Sequence, residues 1–76
     1  MNLSYDADHN VANIRFREKV ASVTTLRLSE DVLVDLSADG TVYGIELLNA
    51  NEQLLGDHGR LVVETAGREV EVALAS

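Results

Sequence analysis

The chain has 76 residues, no cysteine, no proline and a formal net charge of −7. That excludes disulfides and thiolate metal centres, fits a reducing compartment, and sets a domain size that buries only about 60% of its unfolded surface, where oligomerisation commonly supplies missing stability. No apolar run approaches the roughly 20 residues of a membrane helix and no basic-then-apolar leader opens the sequence, so one soluble cytoplasmic domain over residues 1–76, self-associating as a dimer, is expected.

Asn2 to Tyr5 reads as a short strand with Leu3 and Tyr5 on one face. Asp6 to Asn10 is a turn of residues that hydrogen-bond local backbone. In Val11 to Arg17, Ala12, Ile14 and Phe16 alternate with Asn13, Arg15 and Arg17, the period of a half-buried strand. Glu18 to Ala21 is a connection. Ser22 to Leu28, with Val23, Thr24 and Thr25, reads as a third strand, and Ser29 to Asp31 as a turn.

Asp31 to Leu48 is the strongest signal: two apolar strands joined at Asp39-Gly40, where Gly40 can take positive φ without a Cβ penalty. Two turns fit. A two-residue loop pairs Leu36 with Tyr43, Val34 with Ile45 and Val32 with Leu47. A type I turn with a bulge at Gly40 pairs Leu36 with Val42 and exchanges faces. Val32, Val34 and Leu36 alternate with Leu33, while Val42 and Leu48 interrupt Tyr43, Ile45 and Leu47. Apolar residues on both sides predict a hairpin covered on both sides, by this chain's own C-terminal segment or by a second subunit.

Asn49 to Gly56 is the one helical candidate, capped by Asn49 or Asn51, with Glu52 in its first turn and Gly56 at its stop. At this length it must dock through Leu54 and Leu55. Asp57-His58-Gly59 is a loop. Arg60 to Leu74 forms a second hairpin around Ala66-Gly67, with Leu61, Val63, Val70 and Val72 on one face. The fold class is therefore mainly β: an antiparallel β-meander of about five to seven short strands with at most one short helix around residues 50–55.

The charge is uneven. Residues 1–30 hold four acids and four bases, and residues 31–76 hold nine acids and two bases. An acidic chain repels phosphate backbones, so direct nucleic-acid binding is disfavoured and a basic protein partner favoured. The same charge also serves solubility. The candidate interaction surface consists of Asp35 and Glu46, on one broad face of the first hairpin, and Glu64, set against Glu69 in the second hairpin with Glu71 beside them. Solvated edge strands carry such charges for their own sake.

No constellation carries catalytic chemistry, which predicts a non-enzyme without a cofactor. His9 beside Asp8, and His58 after Asp57, could hold a divalent cation if the fold joined them, but no metal spacing is present. Asp6 and Asp8 resemble the start of a calcium loop that lacks its glycine and distal glutamate. No serine lies in a nucleophile elbow and the glycines form no phosphate cradle. Phe16 lies on the opposite face from Arg15 and Arg17, which reads as core and not as a base-stacking platform.

Tyr5-Asp6, Asn10, Ile14 and Phe16, followed by Asp31 to Leu36 and by Asp39-Gly40-x-Val42-x-Gly44-Ile45-Glu46-Leu47-Leu48-Asn49-Ala50, resemble a family of small prokaryotic proteins known as domain of unknown function 2283. The resemblance spans residues 1–50. Asn10 stands where the family usually has an acid, and Asn13 where an aromatic is common. The resemblance implies a compact β-meander with little helix and no established activity. Family members can neighbour genes for small basic toxin-like nucleases, which implies an antitoxin-like neutralising role as one alternative. A small-molecule or metal-binding protein built on Asp6, Asp8, His9 or His58 is another. The principal reading is a non-catalytic interaction module that self-associates and presents an acidic surface to a protein partner.

Overall fold

The computed structural model describes residues 1–18, 22–56 and 58–74. They form strands β1 (Asn2–Asp6), β2 (Val11–Arg15), β3 (Val23–Arg27), β4 (Val32–Ser37) and β5 (Val42–Leu48), helix α1 (Ala50–Leu55), and strands β6 (Arg60–Thr65) and β7 (Arg68–Ala73). The expected β-rich class with one short helix is what the chain adopts. Residues 19–21 of the expected connection, and Asp57 of the expected loop, lie outside the described residues.

β1 to β5 make one antiparallel sheet in the order β1-β2-β5-β4-β3. β3, β4 and β5 follow one another as a meander. β2 then lies beside β5 instead of β3, so β2 to β5 form a Greek key with the β1–β2 hairpin extending one edge. β6 and β7 form a separate two-stranded sheet.

Both registers anticipated for the central hairpin occur, at opposite ends. At the turn, Gly40 N–H donates to Ser37 O and Ser37 N–H to Thr41 O. Gly40 has φ +86°, and Leu36 pairs with Val42, as a type I turn with a glycine bulge requires. The register then shifts between Asp35 and Leu36. Tyr43 is the extra residue, and beyond it Val34 meets Ile45 and Val32 meets Leu47, as in the shorter-loop register. The second bulge restores the face that the first exchanged.

The registers sort the sheet into two faces. Leu3, Ile14, Ile45, Val34 and Leu26 form one row across all five strands, and Tyr5, Ala12, Leu47 and Val32 form the next. That face is apolar. The opposite rows read Asn2, Arg15, Gly44, Asp35, Thr25 and Ser4, Asn13, Glu46, Leu33, Arg27, mostly polar. Val42 falls beside Leu36, so it leaves the polar face to Leu33 and Leu48. The central hairpin is consequently not sandwiched: its apolar residues concentrate on one side, and among the described residues no second layer stands over that side apart from α1 at one end.

α1 is where the sequence places it, but it is capped from elsewhere. Asn49 occupies the cap position in a left-handed conformation and its side chain makes no capping bond. Instead Asn10, in the β1–β2 turn, takes both roles: its carbonyl oxygen accepts from Ala50 N–H at 3.1 Å and its Oδ1 from Asn51 N–H at 2.7 Å. Asn10 itself has φ +59°, which asparagine tolerates better than most residues. The Tyr5 hydroxyl donates to Asn51 Oδ1 at 2.6 Å, and Asn51 Nδ2 to Ala7 O. Ala12 and Ala50 have no exposed surface and mark where the helix meets the sheet.

Asn10→Asp keeps an acceptor for Asn51 N–H and is expected to retain near-full stability. Asn10→Gly keeps the backbone conformation but loses the side-chain acceptor, and Asn10→Ala loses both, at a cost of about 1 kcal/mol or more. Urea unfolding of the three variants at one protein concentration checks the order.

Candidate functional site

The apolar face is the feature that calls for a function. Its rows carry no charged side chain, yet Leu26 is 45% exposed, Phe16 42% and Leu28 66%. No large side chain among the described residues is fully buried. Contiguous exposed apolar surface of this kind is uncommon on a single folded chain.

The second hairpin repeats the pattern. Leu61 pairs with Val72 and Val63 with Val70, giving one apolar face. Val63, Val70 and Val72 are exposed, Val70 at 59%. β6 and β7 pack on each other and make only marginal contact with the five-stranded sheet. Isolated two-stranded hairpins are marginal in water, so this one also lacks a covering layer.

The acidic candidates divide between the two sheets. Asp35 and Glu46 do share a face: Asp35 pairs with Gly44, and Glu46 with Leu33 and Asn13. Thr25 Oγ1 donates to Asp35 Oδ1 at 2.5 Å. Glu64 lies opposite Glu69, and Glu71 is alongside on the face away from Leu61 and Val70. Arg60 Nε approaches Glu71 Oε1 at 3.7 Å and offsets part of that charge.

Around Gly44 the polar face dips. Ser4, Asn13, Arg15, Asp35 and Tyr43 help line a shallow depression of about 180 Å³. Gly44 itself is required by packing: a Cβ there would lie 2.8 Å from the Ile14 carbonyl oxygen, so the close approach of β2 and β5 depends on its missing side chain. Arg15 and Asp35 flank it on neighbouring strands. The β2–β5 pairing, a non-local contact, is what sets Arg15 beside Gly44 and Asp35.

The candidate metal ligands come together only in part. His9 Nδ1 lies 2.7 Å from Asp6 Oδ2, and His9 N–H donates to Asp6 Oδ1 at 3.2 Å. These bonds close the β1–β2 turn and hold the Asp6 carboxyl below its ordinary range, the side-chain bond from His9 contributing most. His58 lies in the turn before β6, with φ +55° and its N–H donating to Leu55 O. No three His, Asp or Glu side chains converge among the described residues. Asp39 Oδ1 accepts from both the N–H and the hydroxyl of Thr41, and the hydroxyl bond chiefly lowers that carboxyl too. No helix among the described residues is long and apolar enough to cross a membrane.

A model of the family described as a protein of unknown function (DUF2283) matches residues 2–51. The match spans the five-stranded sheet and reaches Asn51, leaving β6 and β7 outside it. No curated protein and no solved structure matches the chain.

Two outcomes follow from these contacts. Gly44→Ala is expected to lower stability by about 1–3 kcal/mol, as overpacking does, measured by urea unfolding. Asp6 and Asp39 both have native pKa values below the unfolded value of 3.8. The stability they add is therefore complete above that value and is lost as pH falls through the lower native values. Asp6→Asn and Asp39→Asn should each flatten the fall in melting temperature between roughly pH 4 and pH 2.

Proposed function

This chain belongs to the DUF2283 family of proteins of unknown function, and we propose that it is a small non-catalytic interaction module. It self-associates through the apolar face of its five-stranded sheet and shows its acidic residues to a basic protein partner. The observation that supports this is the row Leu3, Ile14, Ile45, Val34, Leu26, which runs the full width of the sheet without a charge, its edge residues Leu3 and Leu26 exposed and the three between them half-buried.

Magnitudes favour the reading. Fully burying one large aliphatic side chain is worth about 1.5–3 kcal/mol, so covering several of these residues can offset the entropy of association. Charge does not oppose it, because Asp35 and Glu46 lie on the opposite face and Glu64, Glu69 and Glu71 on the second hairpin. Those acids stay accessible to a basic partner, and the net charge of −7 steers such a partner while disfavouring nucleic acid. A reducing, cytoplasmic setting suits a chain without cysteine.

The test is association itself. Because binding to the native state stabilises by mass action, the melting midpoint should rise by about a few degrees for each tenfold increase in concentration. Sedimentation should show a dimer at micromolar concentration. Leu26→Lys, at an exposed edge where the fold tolerates a charge, should weaken the dimer while leaving the β spectrum. A monomer whose midpoint ignores concentration would contradict the proposal.

A further inference from the structure

We infer that the occupant of the apolar sheet face is the β6–β7 hairpin of a second copy of this chain, exchanged reciprocally between two protomers. The inference rests on the self-association proposed above and names the element that does the covering.

Three observations converge on it. The first is area. The chain exposes 5667 Å², against about 4,600 Å² expected for a folded monomer of this mass. The excess of roughly 1,100 Å² exceeds the about 800 Å² that each partner contributes to a standard stable interface. The radius of gyration tells the same story: 13.6 Å against about 11 Å for a compact chain of this length.

The second is that two uncharged apolar surfaces on one chain both lack a cover. They are the sheet face around Val34 and Ile45 and the hairpin face around Val63 and Val70. A sheet-to-sheet dimer would bury the first and leave the second in water. Laying the hairpin of each copy on the sheet of the other covers both, with two equivalent contacts related by a twofold axis.

The third is charge. The opposite side of the hairpin carries Glu64, Glu69 and Glu71. With the hairpin's apolar side down on the sheet, those carboxylates point to water and no acid is buried. Within one protomer the hairpin makes only marginal contact with its own sheet, Leu74 lying near the β1–β2 turn, and α1 already occupies the Tyr5–Asn51 end of that face.

The absence of native cysteine makes a clean test possible. Val34→Cys and Val70→Cys are made as single variants, one bearing a mass tag, and are mixed, unfolded, refolded together and oxidised. The expected result is a mixed dimer joining Val34→Cys to Val70→Cys as the predominant cross-linked band on a non-reducing gel, holding about half of the chains, because only mixed pairs set cysteine against cysteine. The double variant should give covalent dimers. Leu26→Cys, at the exposed edge of the same face, repeats the experiment should Val34→Cys disturb the sheet.

A predominant bond between two Val34→Cys chains would mean sheet-on-sheet packing and overturn the inference. So would closure of the disulfide within single chains of the double variant. Dimers by sedimentation with no mixed disulfide would overturn it while leaving the interaction module intact. Monomers throughout, with no cross-link of any kind, would overturn both.

Discussion

A sheet with one apolar face needs a second layer, and this chain supplies very little of one. Domains are stable as two packed layers around a common core. Here the only cover among the described residues is α1, six residues long, seated at one end of a five-stranded sheet. The consequences run through the whole molecule. Leu26, Leu28 and Phe16 remain exposed, and the two described apolar residues without any exposed surface are alanines. The sheet is well specified by its ladders and poorly insulated from water.

The polar face shows how strongly the strands are nonetheless specified. Alternation puts Asn13, Arg15, Asp35 and Glu46 on one side and Ile14, Ile45 and Val34 on the other, and the pairing keeps them there across five strands. Bulges could have broken that order, since each one exchanges faces. Two of them occur within one hairpin, at Gly40 and at Tyr43, and the second reverses the first. Gly44, next to Tyr43, lets the backbone of β2 come close at the point where the strand is most distorted.

Much of this was legible in the residues. The period of two gave the faces of β1, β2 and β4, and Asp39-Gly40 and Ala66-Gly67 gave both hairpins. The Glu64–Glu69 pair and the Asp35–Gly44 neighbourhood also follow from turn placement. The strand order was not legible, because β2 meets β5 across some thirty residues and no local signal encodes that choice. The same non-local pairing hid the real helix cap. Asn49 and Asn51 are correct cap residue types close to the correct place, yet Asn10 does the capping, since the β1–β2 turn arrives there only after the sheet has formed. The expectation of a hairpin covered on both faces failed for a related reason: Val42 changes sides at the bulge, and a sequence does not announce how many residues a turn will contain. The acidic candidates lie where alternation put them, but on two sheets, and nothing local could have said so.

The cap also depends on the register of the sheet. Six residues cannot hold a helix alone, and the groups that fix this one, the Asn10 carbonyl and side chain and the Tyr5 hydroxyl, lie about forty residues earlier in the chain. They reach Ala50 and Asn51 only when β1, β2 and β5 are aligned in their native register. α1 is therefore a latch that fits a correctly threaded sheet and has nothing to hold in a slipped one. A strand misaligned by one residue would leave the first turn of the helix without acceptors. The helix acts as a proofreader of the topology as well as a partial lid over it.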